Sequence, residues 1–241
     1  MQGRVYLMAL LAIASTPCSE PGIADTTSVF RTARLDASAH VQLGYLLYLP
    51  NEYEESGSWP LLLFLHGYGA RGDDLELVKA HGPPKLIAEG KDFPFVIVSP
   101  QDPRGWWEPM ELTVLLDKVV SEYKIDQSRI YVTGLSLGGF GTWELAHFAP
   151  DRFAAIAPIC GGGEVYWADE IAHLPIWAFH GAKDSVVPVS RTTDLVDAIR
   201  EHGGKPKLTI YPEAGHDSWT MTYNNPALYD WLLKHKKEDP E

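Results

Sequence analysis

The stretch IYVTGLSLGGFGTWELAHF, residues 130–148, holds the reading on which the fold turns. Ile130 to Thr133 is a short apolar run of strand type, and from about Leu137 to Phe148 the pattern is helical. Between them lie Gly134-Leu135-Ser136-Leu137-Gly138, a G-x-S-x-G sequence. A strand that becomes a helix over so few residues needs a tight, strained bend, with the serine hydroxyl exposed at its tip. Glycines two residues on either side remove side chains that would collide in that bend. The helix start also offers the Leu137 N–H, and the positive end of a dipole, to an oxyanion developing at the serine. Alone, the pattern describes any Gly-rich turn; its place between strand and helix gives it meaning.

Outward from this stretch the chain alternates strand and helix. Val41 to Leu49, Leu61 to His66, Phe95 to Ser99 (closed by Pro100), Ala154 to Ile159, Ile176 to Phe179 and Lys207 to Tyr211 read as further strands. Unbroken apolar runs of this length suit strands covered on both faces, as in a mostly parallel sheet. Leu112, Leu115, Leu116, Val119, Val120 and Tyr123 form one helical stripe. Ser190 is placed to cap a helix carrying Leu195, Val196 and Ile199, which Gly203 and Gly204 end. Asn225-Pro226 opens a last helix that buries Leu228, Trp231 and Leu232. The expected class is therefore α/β, a mostly parallel central sheet flanked by helices, with its site beyond the carboxyl ends of the strands.

Two more loops at strand ends carry matching chemistry. Asp184 follows the strand Ile176 to Phe179, within His180-Gly181-Ala182-Lys183-Asp184. His216 follows the last strand, within Gly215-His216-Asp217. A serine nucleophile needs a histidine base, and that base needs a carboxylate to fix its tautomer. The chain order Ser136, Asp184, His216 is the one that accompanies a G-x-S-x-G elbow. Asp217 is a weaker rival for the acid, since side chains adjacent in sequence rarely meet as base and orienter, and Glu213 is a similarly weak one. In His66-Gly67-Tyr68-Gly69, the Tyr68 backbone N–H is the candidate second oxyanion donor. His66 and His180 read as structural residues that shape their loops.

Composition narrows the partners. The chain has 241 residues, 45% hydrophobic and 22% charged, which is ordinary for a globular protein. A net charge of −12 argues against a nucleic-acid partner. The two cysteines, Cys18 and Cys160, are too few for a disulfide framework or a structural zinc cluster. Cys160, at the end of an apolar run, reads as a small buried residue. His66 with His81, and His173 with His180, lack a metal ligand set, so no metal and no cofactor are expected. Arg4 followed by the apolar Val5 to Ala14 has the form of an export signal, too short to span a bilayer in the mature protein. Residues 1–25 are thus expected to be a signal peptide and short N-terminal segment, and 26–241 a single domain, secreted or periplasmic. Pro17 before Cys18 departs from a lipoprotein signal, and nothing in the sequence sets an oligomeric state.

With these motifs placed, the chain resembles the esterase and dienelactone-hydrolase-like branch of the α/β-hydrolase superfamily, from about Leu43 to Lys234. The resemblance rests on Leu65-His66-Gly67-Tyr68-Gly69, Gly105-Trp106-Trp107, the Ser136 elbow, His180-Gly181 with Asp184 and Val187-Pro188, and Gly215-His216-Asp217-Ser218-Trp219. Relatives in this branch include phospholipase/carboxylesterase-like proteins and predicted peptidases related to prolyl oligopeptidase. It implies ester hydrolysis without a cofactor. True dienelactone hydrolases use a cysteine nucleophile, which disfavours that substrate here, and prolyl oligopeptidases carry a propeller ahead of the hydrolase.

The function expected is a carboxylesterase cleaving short-chain or aryl esters of small molecules through an acyl-enzyme on Ser136. A small serine peptidase, a feruloyl or acetyl esterase acting on plant-wall polysaccharide decorations, and a catalytically silent binding fold are the alternatives. Only Cys160 to Pro175 lie between two successive strands where relatives insert a cap, so a minimal cap and an open cleft are expected. Trp106, Trp107, Tyr166, Trp167 and Trp219 are expected near that cleft, with Trp107 and Trp219 as substrate-binding residues.

Overall fold

Leu61 to Leu65 show how the layers arise. Successive side chains of a strand point to opposite faces, so Leu61, Leu63 and Leu65 enter one core while Leu62 and Phe64 enter the other. A strand apolar on both faces must be covered on both. The computed structural model describes residues 41–55 and 57–237; the expected signal segment and Cys18 lie outside the described residues. Within these, one sheet of seven strands contains β1 (Gly44–Tyr48), β2 (Trp59–Leu65), β3 (Val96–Gln101), β4 (Ile125–Leu135), β5 (Ala155–Ile159), β6 (Trp177–Gly181) and β7 (Lys207–Tyr211). Their spatial order is β1-β3-β2-β4-β5-β6-β7. Only β1 runs antiparallel to its neighbour; every other pairing is parallel.

The helices divide between the two faces. On one pack α2 (Pro109–Glu122), α3 (Leu137–Phe148), the short α4 (Ala168–Ile171) and α5 (Ser190–Glu201). On the other lie α1 (Gly82–Ala88), α6 (Trp219–Asn224) and α7 (Pro226–Leu233). The α2 stripe buries Leu112, Leu115, Leu116 and Val119, each such side chain contributing about 1.5–3 kcal/mol. Asn225 caps α7 by accepting from the Ala227 amide at 3.0 Å. The β5–β6 connection holds one 3-10 turn, Val165–Trp167, followed by α4, which is the minimal cap of the expected architecture.

Three expectations need correction. Pro100 does not close β3, which runs on to Gln101 with Pro100 opposite Tyr45 of β1. Pairing of β2 with β3 ends at Val98, so beyond it the strand is locally an edge, where proline is tolerated. Strand β4 begins at Ile125 rather than Ile130, because Asp126 satisfies the Ser128 amide and the Arg129 side chain locally, and polar residues can then occupy the strand. Ser190 does not cap α5. It already lies inside the helix, and the cap position Val189 has helical backbone angles.

Candidate active site

Strand β4 ends at Leu135 and α3 begins at Leu137, so Ser136 alone makes the bend. Its backbone has φ 53° and ψ −115°, a region that side-chain-bearing residues rarely occupy. The bend is held from both sides: the Ser136 amide donates to Ile159 O at 2.9 Å, and Ser136 O accepts from the Phe140 amide at 3.0 Å. Gly138 lets the first turn of α3 lie directly on β2. A Cβ there would stand 2.0 Å from Leu65 O.

The structure brings the three expected side chains together. His216 Nε2 lies 2.8 Å from Ser136 Oγ, and His216 Nδ1 lies 2.7 Å from Asp184 Oδ2. With Nδ1–H donating to the carboxylate, Nε2 is free to accept the serine proton. The Asp184 side chain is fully buried and is anchored through Oδ1 by the Val186 and Val187 amides, both at 2.9 Å. Burial pushes its pKa upward, but donation from His216 and from the Val187 and Val186 amides outweighs this and holds the carboxyl below its ordinary range. The acid and base loops brace each other, with the Ala182 and Lys183 amides donating to Tyr211 O and Ala214 O, each at 2.9 Å. The rival carboxylates are occupied elsewhere: Asp217 accepts from the Thr220 amide and hydroxyl, and Glu213 pairs with Lys183.

The two other loop histidines serve the frame. His66 Nδ1 donates to Gly67 O at 2.7 Å, and Nε2 accepts from the Asp102 amide at 3.0 Å. Only a neutral ring does both, and burial accordingly lowers its pKa. His180, fully buried, directs Nε2 at Val187 O (3.0 Å) and at Asp184 Oδ2 (3.2 Å), the oxygen His216 uses. Burial lowers its pKa too. The sequence places His180 in its loop but carries no sign of this second contact to the acid. Cys160 is buried immediately after the β5 carbonyl that anchors Ser136, and burial pushes its thiol up to about 12. That suits a packing residue and not a nucleophile.

Of the expected oxyanion donors, Leu137 follows the serine directly and Tyr68 lines the same cavity. Leu137 is the first residue of α3, so its amide has no partner within the helix. Tyr68 opens a 3-10 turn whose internal bonds come from the Ala70 and Arg71 amides. The preceding Gly67 passes so near the elbow that a Cβ on it would lie 3.7 Å from Ser136 Cβ. Ser136 and His216 open into a cavity of about 330 Å³, walled by Phe64, Leu77, Val78, His81 and Trp219. Leu77, Val78 and His81 escape sequence reading because the 3-10 turn Leu75–Ala80 has no clear apolar period. A larger hollow of about 730 Å³ at the amino ends of β4 to β6, near Gln127 and His173, contains none of these groups.

Among the expected cleft aromatics, Trp219 lines the cavity, its ring 5.3 Å from that of His216. Trp107 does not. It is 2% exposed, stacked edge-on against His66 at 4.7 Å beneath Gly141, and its Nε1 donates to His66 O at 3.3 Å. It belongs to the core because Gly141 leaves room for its ring and His66 packs against it, while Trp106, its neighbour in sequence, points outward. Trp167 stacks on His147. Among the described residues no group of three or more His, Cys, Asp or Glu is arranged to hold a metal ion.

Strand order and elbow together make this an α/β-hydrolase fold. Comparison with known proteins carries the assignment further: the profile of the Dienelactone hydrolase family matches residues 106–230, just over half of the sequence, and the chain belongs to that family. The relatives that it matches carry esterase names, and the chain spans only part of the length of several of them. It is 27% identical over 191 residues to a bifunctional acetylxylan esterase/xylanase of Neocallimastix patriciarum, covering 74% of this chain and 28% of that protein. It is 24% identical over 188 residues to a probable feruloyl esterase C of Aspergillus niger, covering 74% of this chain and 68% of that one. The crystal structure of a thermostable esterase superposes with a TM-score of 0.71 at 33% identity, covering 82% of this chain and 60% of that chain.

Proposed function

We propose that the protein is a serine carboxylesterase that cleaves short-chain or aryl carboxylic esters through an acyl-enzyme on Ser136. The observation that carries this reading is the continuous Ser136–His216–Asp184 hydrogen-bonded chain, with steps of 2.8 and 2.7 Å. His216 Nε2 takes the Ser136 proton as Oγ forms a bond to the ester carbonyl carbon. The resulting oxyanion is held by the Tyr68 and Leu137 amides. His216 then gives the proton to the departing alkoxide, which leaves as the alcohol. In the second half a water gives its proton to His216 and attacks the acyl-enzyme, and the proton returns to Ser136 Oγ as the acid is released. Asp184 stays ionised throughout and stabilises the imidazolium. The cavity beside the serine has the volume for a short or aryl acyl group, and two of the relatives bear the names acetylxylan esterase and probable feruloyl esterase.

Hydrolysis of a p-nitrophenyl ester series, set against peptide p-nitroanilides, tests the reading. Wild-type protein should favour the esters, and Ser136→Ala should lower kcat by roughly 10⁴-fold or more. A Ser136→Ala protein with undiminished esterase activity would refute the assignment, and preference for the amides would move it to the peptidases. Export belongs to the same proposal, on the pattern of Arg4 followed by Val5 to Ala14. Sequencing the amino terminus of the mature protein tests it, and a retained Met1 would remove it.

A further inference from the structure

We propose that the ester lies across the sheet edge, its acyl group in the cavity on one face and a carbohydrate, as the alcohol half, on an aromatic platform on the other. This rests on the esterase reading above and adds the chemistry of the leaving group. Ser136 stands between two unlike surfaces. The cavity walls come from the side of the sheet covered by α1, α6 and α7, with Phe64, Val78 and Trp219 packed in that core. Across the elbow, on the side of α2, α3 and α5, lie Trp106, just before α2, Phe140 of α3 and Arg191 of α5.

Trp106 is 48% exposed, and its ring centroid is 6.2 Å from that of Phe140. Phe140 lies one helical turn beyond Ser136, the residue whose carbonyl accepts its amide. The outward position of Trp106 is fixed, since its Nε1 donates to Glu144 Oε2 at 3.0 Å. Beside Phe140 the Arg191 guanidinium carbon lies 5.9 Å from the ring centroid, and Arg191 in turn donates to Glu164 at 3.0 Å. Two aromatic faces are thus held at the surface and bordered by a carboxylate and a guanidinium. Each of these keeps further polar atoms beyond the bond that positions it.

A sugar ring matches this combination. Its C–H face is apolar and lies against an aromatic plane, while the hydroxyls around its rim seek directional acceptors and donors of the kind Glu144 and Arg191 supply. A plain alkyl alcohol would use the rings and leave the flanking charges without a role. The contrast between adjacent tryptophans supports a built feature: Trp107 is buried in the core, whereas Trp106 is pinned outward by a hydrogen bond.

The test compares two acetate esters, acetylated xylo-oligosaccharide and ethyl acetate, which share an acyl group and differ only in the alcohol. Trp106→Ala should lower the ratio of kcat/KM for the glycan ester over ethyl acetate at least ten-fold, through KM, and Trp106→Phe, which keeps a ring, should restore much of it. Equal losses on both esters, or a wild-type enzyme with no preference for the glycan ester, would overturn the platform. A second measurement needs no turnover. Unesterified xylohexaose should change the tryptophan fluorescence of Ser136→Ala protein saturably, and this change should vanish when Trp106→Phe is added. Its absence overturns the proposal, whereas inactivity toward both esters with binding intact would fault the esterase reading alone.

Discussion

Replacing Gly138 by alanine probes the join between elbow and sheet. The new methyl would lie 2.0 Å from Leu65 O, 2.5 Å from Leu65 C and 2.8 Å from His66 O. All three are backbone atoms, so no rotamer change relieves the overlap, and α3 and β2 must separate by about 1.4 Å to reach ordinary contact. Overpacking a core costs roughly 1–3 kcal/mol, and a clash with strand backbone belongs at or above the top of that range. The helix-propensity gain from glycine to alanine returns only about 1 kcal/mol at most. For a domain of this size a net loss of about 2–3 kcal/mol lowers Tm by roughly 4–12 °C. The same separation draws the Leu137 amide away from the loop that follows β2. If that amide serves the oxyanion, kcat falls by about 10²-fold even below the melting range. Circular-dichroism melts and ester kinetics on Gly138→Ala give both numbers. Gly69→Ala, where an added methyl meets nothing within 4 Å, serves as control and should stay within about 0.5 kcal/mol of wild type. A Gly138→Ala protein that melts with the wild type and keeps its rate would show that α3 is not seated on β2 as described.

Three further outcomes follow from the same geometry. Burial lowers the pKa of both His66 and His180, so below the ordinary histidine value the unfolded chain takes up protons more readily than the folded chain. Their contribution is complete above about pH 6.5 and falls as the pH drops beneath it, by at most about 1.4 kcal/mol per pH unit for each ring. Urea unfolding at stepped pH measures this, and a flat profile from neutrality to pH 5 would contradict it. His180→Phe removes a donor from Asp184 Oδ2 and should lower kcat/KM about ten-fold, as for one charge-assisted hydrogen bond, whereas His180→Gln, which keeps an N–H near the Nε2 position, should lose less; equal rates for both variants would deny the contact a role. Trp107→Ala should cost about 3–5 kcal/mol in unfolding experiments, while Trp219→Ala should act mainly on KM for aryl esters. The reverse pattern would exchange the roles assigned to these two indoles.

The parts of this molecule written in local chemistry were legible in its sequence. Gly134 to Gly138 announces its bend because only glycine tolerates the backbone contacts there, and the apolar stripe of α2 is periodic. Chain order alone linked Ser136, Asp184 and His216, which the fold then sets within hydrogen-bonding reach. What escaped depends on neighbours remote in sequence. Pro100 stays in a strand because β2 has already ended its pairing. Ile125 to Arg129 is extended although polar, since Trp59 supplies the partner and Asp126 the local bonds. The sequence marked Trp107 rather than Trp106 for the cleft, and only Gly141 and His66, which pack around the second indole, decide that it turns inward. The side of the cavity formed by Leu77 and Val78 comes from an irregular turn, which leaves no periodic trace.

Gly181 carries a consequence of its own. A Cβ there would strike Gly215 O at 2.1 Å, so the strands of acid and base are pressed backbone to backbone while the serine is borne by a different pair of elements. Imidazole and carboxylate therefore travel as one rigid cassette, and the hydroxyl is the detachable member. A slight spreading of the sheet between β5 and β6 would part the oxygen from the ring before it parted the ring from its acid, leaving base and orienter assembled with nothing to activate.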